Sequence, residues 1–299
     1  MCAIVALHVA TNGGDPTDEI QVDGYSPTIK KRSLSRQLVE LRKACRLTTM
    51  EVQRQLGWSA AKLNYIEKAK WIKPDSDDVT DLCELYGVEG DRRDALIRLA
   101  REGRHRGWWR KYNDVFPDEY PGFEAGAAQI HAFEPAFIPG LLQVPAYIEL
   151  VARAYGTDDP AELQRRVDAR MQRQKILTRD DNPCQFHAVI DENAILRITD
   201  PAIRRAQIGH LIKITERPNV EVQLLPIAAG VYPVPGEAFT RLAFADPAER
   251  DIVYLETAID DRMLEGTDEV ARYMLKFEKF AAVALSPKAT RTTLTRQME

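Results

Sequence analysis

Leu34, Leu38, Leu41 and Cys45 recur at i, i+4, i+7 and i+11, the apolar stripe of an amphipathic helix. A second stripe, Val52 and Leu56, ends at Gly57, and a third, Leu63 and Ile66, follows at once. Thr48 and Ser59 stand where the second and third helices need side-chain caps, and Gly57 supplies the left-handed turn between them. Beyond the break at Lys73-Pro74, Val79, Leu82, Leu85 and Tyr86 mark a fourth helix ending at Gly87. Ala95, Leu96, Leu99 and Ala100 mark a fifth. Five short helices over about 70 residues predict a compact unit built from local contacts.

Past residue 105 the period changes. Glu162–Leu177 is a helical stretch with Leu163, Val167 and Met171 on one face. Gln185–Ile190, Val220–Leu225, Phe239–Phe244 and Asp251–Glu256 alternate as strands do. An amphipathic helix, Pro201–Glu216, lies between the first two strands. A last helix, Val270–Leu285, has Met274, Phe277 and Ala281 as its inner stripe. The expected class is α+β: a five-helix domain, then a mixed α/β domain with about four strands.

Composition agrees with two folded parts, since 299 residues at 44% apolar and 29% charged can bury two cores. No apolar run approaches the ~18 residues of a membrane span. The opening Met1–Ala10 lacks a basic region before its apolar stretch and reads as a flexible tail, not a signal peptide. Cys2, Cys45, Cys83 and Cys184 are scattered with no CxxC pair, which predicts reduced thiols in a cytoplasm.

Residues 48–67 have the spacing of a DNA-reading helix-turn-helix. Between Lys30 and Lys73 stand twelve Lys or Arg against Glu40, Glu51 and Glu67, a net of +9 in a chain of net −4, so the remainder carries −13. A basic head on an acidic body fits phosphate binding by the head alone. Trp108 and Trp109, set into the charged stretch 101–111, read as a packing anchor for a connector.

Leu47-Thr48, Leu56-Gly57-Trp58-Ser59, Leu63, Ile66-Glu67 and Pro74 together resemble the Cro/lambda-repressor-like (XRE) helix-turn-helix family. Gly107-Trp108-Trp109, Glu134-Pro135, Ile138–Gln143, Tyr147, Arg166, Arg170, Arg173-Gln174, Asp191-Glu192 and Val253–Thr257 are similar to a C-terminal domain of unknown function. That domain follows the helix-turn-helix in many actinobacterial regulators, WhiJ-like ones included. The resemblance implies a lambda-repressor-like DNA-binding domain over residues 32–104 and a C-terminal sensing and dimerisation domain over 105–290, with tails at 1–31 and 291–299. It implies a transcriptional regulator of duplex DNA, often with a small partner protein encoded by an adjacent gene. One reading helix covers only a few base pairs, which predicts a homodimer, and the C-terminal domain is expected to sense that partner or a metabolite.

Carried over position by position, the reading face is Ser59, Ala60, Ala61, Lys62, Asn64 and Tyr65, with Thr48, Thr49 and Arg54 toward phosphates. The alanines can offer only apolar contact, for instance to a thymine methyl, so polar readout falls to Lys62, Asn64 and Tyr65. Arg42 and Glu67 match an ion pair that orients the reading helix in that family. Two positions depart from its pattern. Gln53 stands where a small residue is usual, which predicts a tilted reading helix, and Ala69 replaces a terminating glycine, which predicts a longer one.

No HExxH, Walker loop, GxSxG, or GxGxxG after a strand occurs, and the chain is expected not to be an enzyme and to need no cofactor. His187, Asp191 and Glu192 could hold a metal or act as a base, but acids at a strand end read better as turn and cap residues. Arg166, Arg170, Arg173 and Gln174 are candidates for binding an acidic ligand or partner, against exposed arginines in structural ion pairs. The alternative function is an autoregulated, antitoxin-like or enzymatic module carrying a DNA-binding head.

Overall fold

The computed structural model describes residues 26–116, 119–232, 234, 236–257 and 261–298. The head comprises α1 (Pro27–Ala44), α2 (Thr49–Leu56), α3 (Ala60–Glu67), α4 (Ser76–Leu85) and α5 (Gly90–Arg104). Leu34, Leu38, Leu41, Val52, Leu63, Ile66, Val79, Leu82 and Leu96 close one core. Each such side chain contributes ~1.5–3 kcal/mol when fully buried. Cys45 lies past the end of α1 and is exposed, so it is not part of the stripe expected of it.

The body begins with a 3-10 turn, Trp108–Tyr112, then α6 (Tyr120–Ala125). Its sheet has six strands where the alternation gave about four: β1 (Gln129–Glu134), β2 (Gln185–Asp191), β3 (Val220–Leu225), β4 (Phe239–Ala243), β5 (Ile252–Leu255) and β6 (Arg262–Leu264). The order is β3-β2-β1-β4-β5-β6. β1, β2 and β3 are parallel, and β4, β5 and β6 join antiparallel. The parallel pairs are bridged by α7 (Pro145–Ala154) and α8 (Pro160–Gln174), then by α9 (Glu192–Leu196) and α10 (Pro201–Ile214). α11 (Thr267–Val283) and α12 (Pro287–Met298) complete the chain.

Alternate strand residues face two cores. Ile130, Ala132, Phe186, Ala188 and Leu242 meet α7, α10 and α12, while Phe133, Val189, Phe239 and Val253 meet Phe277 and Phe280 of α11. Helix on both faces suits the parallel part of the sheet. The flexible tail expected over 1–31 falls largely outside the described residues, but 27–31 already belong to α1. The tail expected over 291–299 is helical to Met298.

Head and body meet along α1, whose Ile29 packs on the body core while Leu34 and Leu38 serve the head. Gly122 and Gly126 let α6 approach this helix. A Cβ on Gly122 would lie 2.4 Å from Thr28 Oγ1, and one on Gly126 2.5 Å from Ile29 Cγ1. Ser26, the N-cap of α1, donates to the Gly122 carbonyl at 2.5 Å. Glu249, its side chain only 1% exposed, accepts from Arg36 at 3.2 Å and pairs with Arg32 at 3.3 Å. Arg32 also reaches Glu265, and Arg36 reaches Asp246. Part of the basic block therefore faces the acidic body and not solvent.

Candidate nucleic-acid interface

The second and third helices are held by the caps the sequence provides. Thr48 accepts from the Glu51 N–H at 3.2 Å, and the Glu51 carboxylate accepts from the Thr48 N–H at 2.8 Å, a reciprocal capping box. Gly57 turns the chain at φ 66°, and the Ser59 hydroxyl accepts from the Lys62 N–H at 3.2 Å. Ser35 Oγ of α1 donates to the Ile66 carbonyl at 2.5 Å and ties the end of α3 to the core.

Arg42 fixes the same end. Its Nε donates to Glu67 Oε1 at 2.6 Å, its Nη2 to Oε2 at 3.0 Å, and its Nη1 to the Leu47 carbonyl at 2.9 Å. Both side chains are about 15% exposed or less, and the hydrogen bond to Glu67 raises the Arg42 pKa despite burial. Fork-to-fork geometry in a half-buried place makes this an organising contact.

The lengthening expected from Ala69 does not occur. α3 stops at Glu67, and Ala69 itself takes the left-handed conformation at φ 54°. The Lys70 N–H then reaches back to the Tyr65 carbonyl at 2.9 Å, as glycine-ended helices do. Gln53 is half-buried on α2, which packs against α3.

α3 presents Ala60, Ala61, Asn64 and Tyr65 to solvent, with Ser59 at its start, and Thr48, Thr49 and Arg54 are exposed on the adjoining α2. Two of the expected contacts are engaged within the head. The Thr48 hydroxyl donates to Glu51 at 2.7 Å. The Lys62 ammonium lies 2.6 Å from Asp78 on α4 and 4.0 Å from the centroid of the Trp58 ring. Neither partner was read from the sequence. Tyr65 also borders a cleft between head and body together with Lys68, Lys70 and Arg36, so the exposed face of α3 continues into that cleft.

The body's arginines divide. Arg173 forms a bidentate pair with Glu124 at 2.7 and 2.8 Å. Burial works against its charge, but Glu124, with Tyr120 and Glu256 behind it, raises its pKa. Arg166 pairs with Glu162 one turn back. Arg170 finds Gln143 Oε1 at 3.3 Å, and burial, then Arg173, lowers its pKa to about 10. Gln174 is a strut, donating to the Gln143 carbonyl at 2.7 Å and the Gly140 carbonyl at 3.3 Å. Trp109 is buried, with Trp108 edge-on to it, which fits an anchor. Asp191 caps α9 and accepts from Tyr232, Glu192 accepts from Ile227, and His187 meets Gln223. No group of three His, Cys, Asp or Glu arranged for a metal occurs among the described residues.

A capped helix-turn-helix with an exposed second helix, set in a five-helix domain, is the head of a DNA-binding regulator. Residues 33–96 match the helix-turn-helix domain family. Residues 118–296 match the family described as a domain of unknown function (DUF5753), and the chain belongs to that family. No curated protein and no solved structure matches the chain. Among the described residues no helix is long and apolar enough to cross a membrane.

Proposed function

We propose that this chain is a sequence-specific, duplex-DNA-binding transcriptional regulator of the XRE type, working in the cytoplasm as a homodimer. Its body senses a metabolite or a small partner protein and transmits that state to the head. The observation that carries the DNA reading is α3 itself. Both its ends are fixed to the core, by the Ser59 cap and by Arg42 and Glu67, while Ala60, Ala61, Asn64 and Tyr65 stay exposed. Rigid support under an exposed helix is what base readout needs.

Dimerisation follows from the size of the reading surface. One helix spans a few base pairs, too few to discriminate against a genome of non-specific sites, and two heads on a two-fold axis repeat the half-site about one helical turn apart. We read the body as a binding domain and not an enzyme, because its sequence carries no HExxH, Walker, GxSxG or strand-following GxGxxG motif. Sedimentation of the full chain, joined to footprinting of sites recovered by genome-wide mapping, tests the proposal. The expected result is a dimer protecting two half-sites with steep salt dependence. A monomer protecting one half-site, or equal affinity for scrambled DNA, overturns it.

A further inference from the structure

The sheet has one place where its winding reverses. From β1 the chain moves to β2 and β3 on one side, then returns to β4 on the other. The crevice beyond the carboxyl end of β1, beside the amino end of the antiparallel β4, is the counterpart of the switch points at which parallel α/β sheets hold their ligands. A cavity of about 260 Å³ lies there. Glu134, the last residue of β1, lines it, with Phe239 and Thr240 at the start of β4 and Tyr254 and Glu256 at the far end of β5.

The charges in this cavity are unevenly satisfied. Arg173 and Arg166 are neutralised by Glu124 and Glu162. The Glu134 carboxyl has no hydrogen-bond partner among the described residues, and Glu256 stands close enough to repel it. Among the described residues Arg170 donates only to the neutral Gln143 amide oxygen, so most of its donor fork is unused, and Glu256 attracts it from across the cavity without a hydrogen bond. Two carboxylates beside aromatic walls favour an organic cation, and a buried guanidinium favours an acceptor such as a carboxylate.

We propose that this cavity binds a small amino-acid-like zwitterion, its ammonium held by Glu134 and Glu256 and its carboxylate by Arg170. The inference rests on the sensing role proposed above and names the ligand class. Phe116, Tyr120 and Glu124 line the same cavity, and the last two lie on α6, which packs on α1 of the head. An occupied cavity thus presses on the element that carries α1. Burial, then Glu256, raises the Glu134 carboxyl to about 8, so it gives up a proton when an ammonium arrives near neutral pH.

Calorimetry and thermal shift of the full chain test this, using the common L-amino acids, the amines made by decarboxylating them and the acids made by removing their amino group. Saturable binding of at least one amino acid is expected, with its amine weaker and its deaminated acid weakest. Glu134→Gln and, independently, the exposed Glu256→Gln should each weaken binding roughly tenfold or more, as loss of a charge-assisted contact does. The binding heat of the parent, but not of Glu134→Gln, should vary with buffer ionisation enthalpy below about pH 8. No saturable binding of any amine at millimolar concentration overturns the site. So does a deaminated acid that binds as tightly as its parent, or an affinity that neither variant moves. Amino-acid binding that leaves DNA affinity unchanged supports the site and removes the sensing role. A DNA-binding dimer that takes no amine overturns the site alone.

Discussion

Lys62 of the reading helix is held 2.6 Å from Asp78 of the next helix, an ion pair that any contact with DNA through this side chain must break. The pair is half-exposed and sits over the Trp58 ring, so releasing it costs ~1 kcal/mol or less. Asp78→Asn frees the ammonium and removes a carboxylate facing the duplex. DNA affinity should then rise about two- to fivefold, and Lys62→Ala should lower it. Fluorescence anisotropy on a mapped binding site measures both, and an unchanged or weaker Asp78→Asn complex contradicts the prediction.

Glu67→Ala leaves Arg42 partly buried without its carboxylate, and should destabilise the head by ~3 kcal/mol or more. Glu67→Gln keeps an acceptor for one arm of the fork and should lose less. Urea melts of the full chain, followed by hydrogen exchange of residues 49–67, separate this effect from unfolding of the body. A shift below ~1 kcal/mol would place the pair with ordinary surface contacts.

Ala69 occupies a left-handed conformation that disfavours a side chain by ~1–2 kcal/mol. Ala69→Gly should stabilise the chain by ~0.5–1 kcal/mol after the greater freedom of glycine in the unfolded state is set against that relief. A destabilised variant in the same melts would show that the methyl group packs to more effect than its backbone strain costs.

Strand β1 carries two groups that titrate in opposite senses. Burial, then Glu256, raises Glu134 from 4.5 to about 8, so between those values the folded chain holds a proton that the unfolded chain has lost, and stability falls as pH rises through that window. Burial, then Arg241 and His187, lowers His131 from 6.5 to about 4. There the unfolded chain holds the extra proton, so stability falls as pH drops from 6.5 toward 4. Glu134→Gln should gain on the order of 1–3 kcal/mol over the parent above about pH 8 and nothing below about pH 4.5. Parallel denaturant melts across pH check this, and a constant difference at every pH contradicts it.

The head was legible because its determinants are local: caps three residues from their targets, apolar stripes, and a glycine at the turn. The start of α1 was missed although Ser26-Pro27 is a capping signal. Lys30, Lys31 and Arg32 count in sequence toward a basic, phosphate-binding head, whereas Lys31 is buried and burial lowers its pKa. β1 was missed because four successive residues, Ile130–Phe133, are covered on both faces and leave no alternation to read. β6 is three residues long. The spacing of Arg166, Arg170 and Arg173 was visible, but Glu124 and Gln143, which decide how they are used, are separated from them by 49 and 27 residues. Glu134 carried a faint signal, an acid closing an apolar strand directly before Pro135.

α1 serves two cores at once, and this limits how such a protein can be recombined. Cutting between residues 104 and 105 would strip Ile29, Arg32 and Arg36 from the body and leave Glu249 buried without its partners. A new operator specificity is therefore more readily acquired by altering α3 in place, or by grafting α2 and α3 onto the resident α1, than by exchanging whole heads between relatives. In a lineage that changes its target sites, α1 and the body surface beneath it should be inherited as a unit, and the exposed positions of α3, Ala60, Ala61, Asn64 and Tyr65, should be free to diverge.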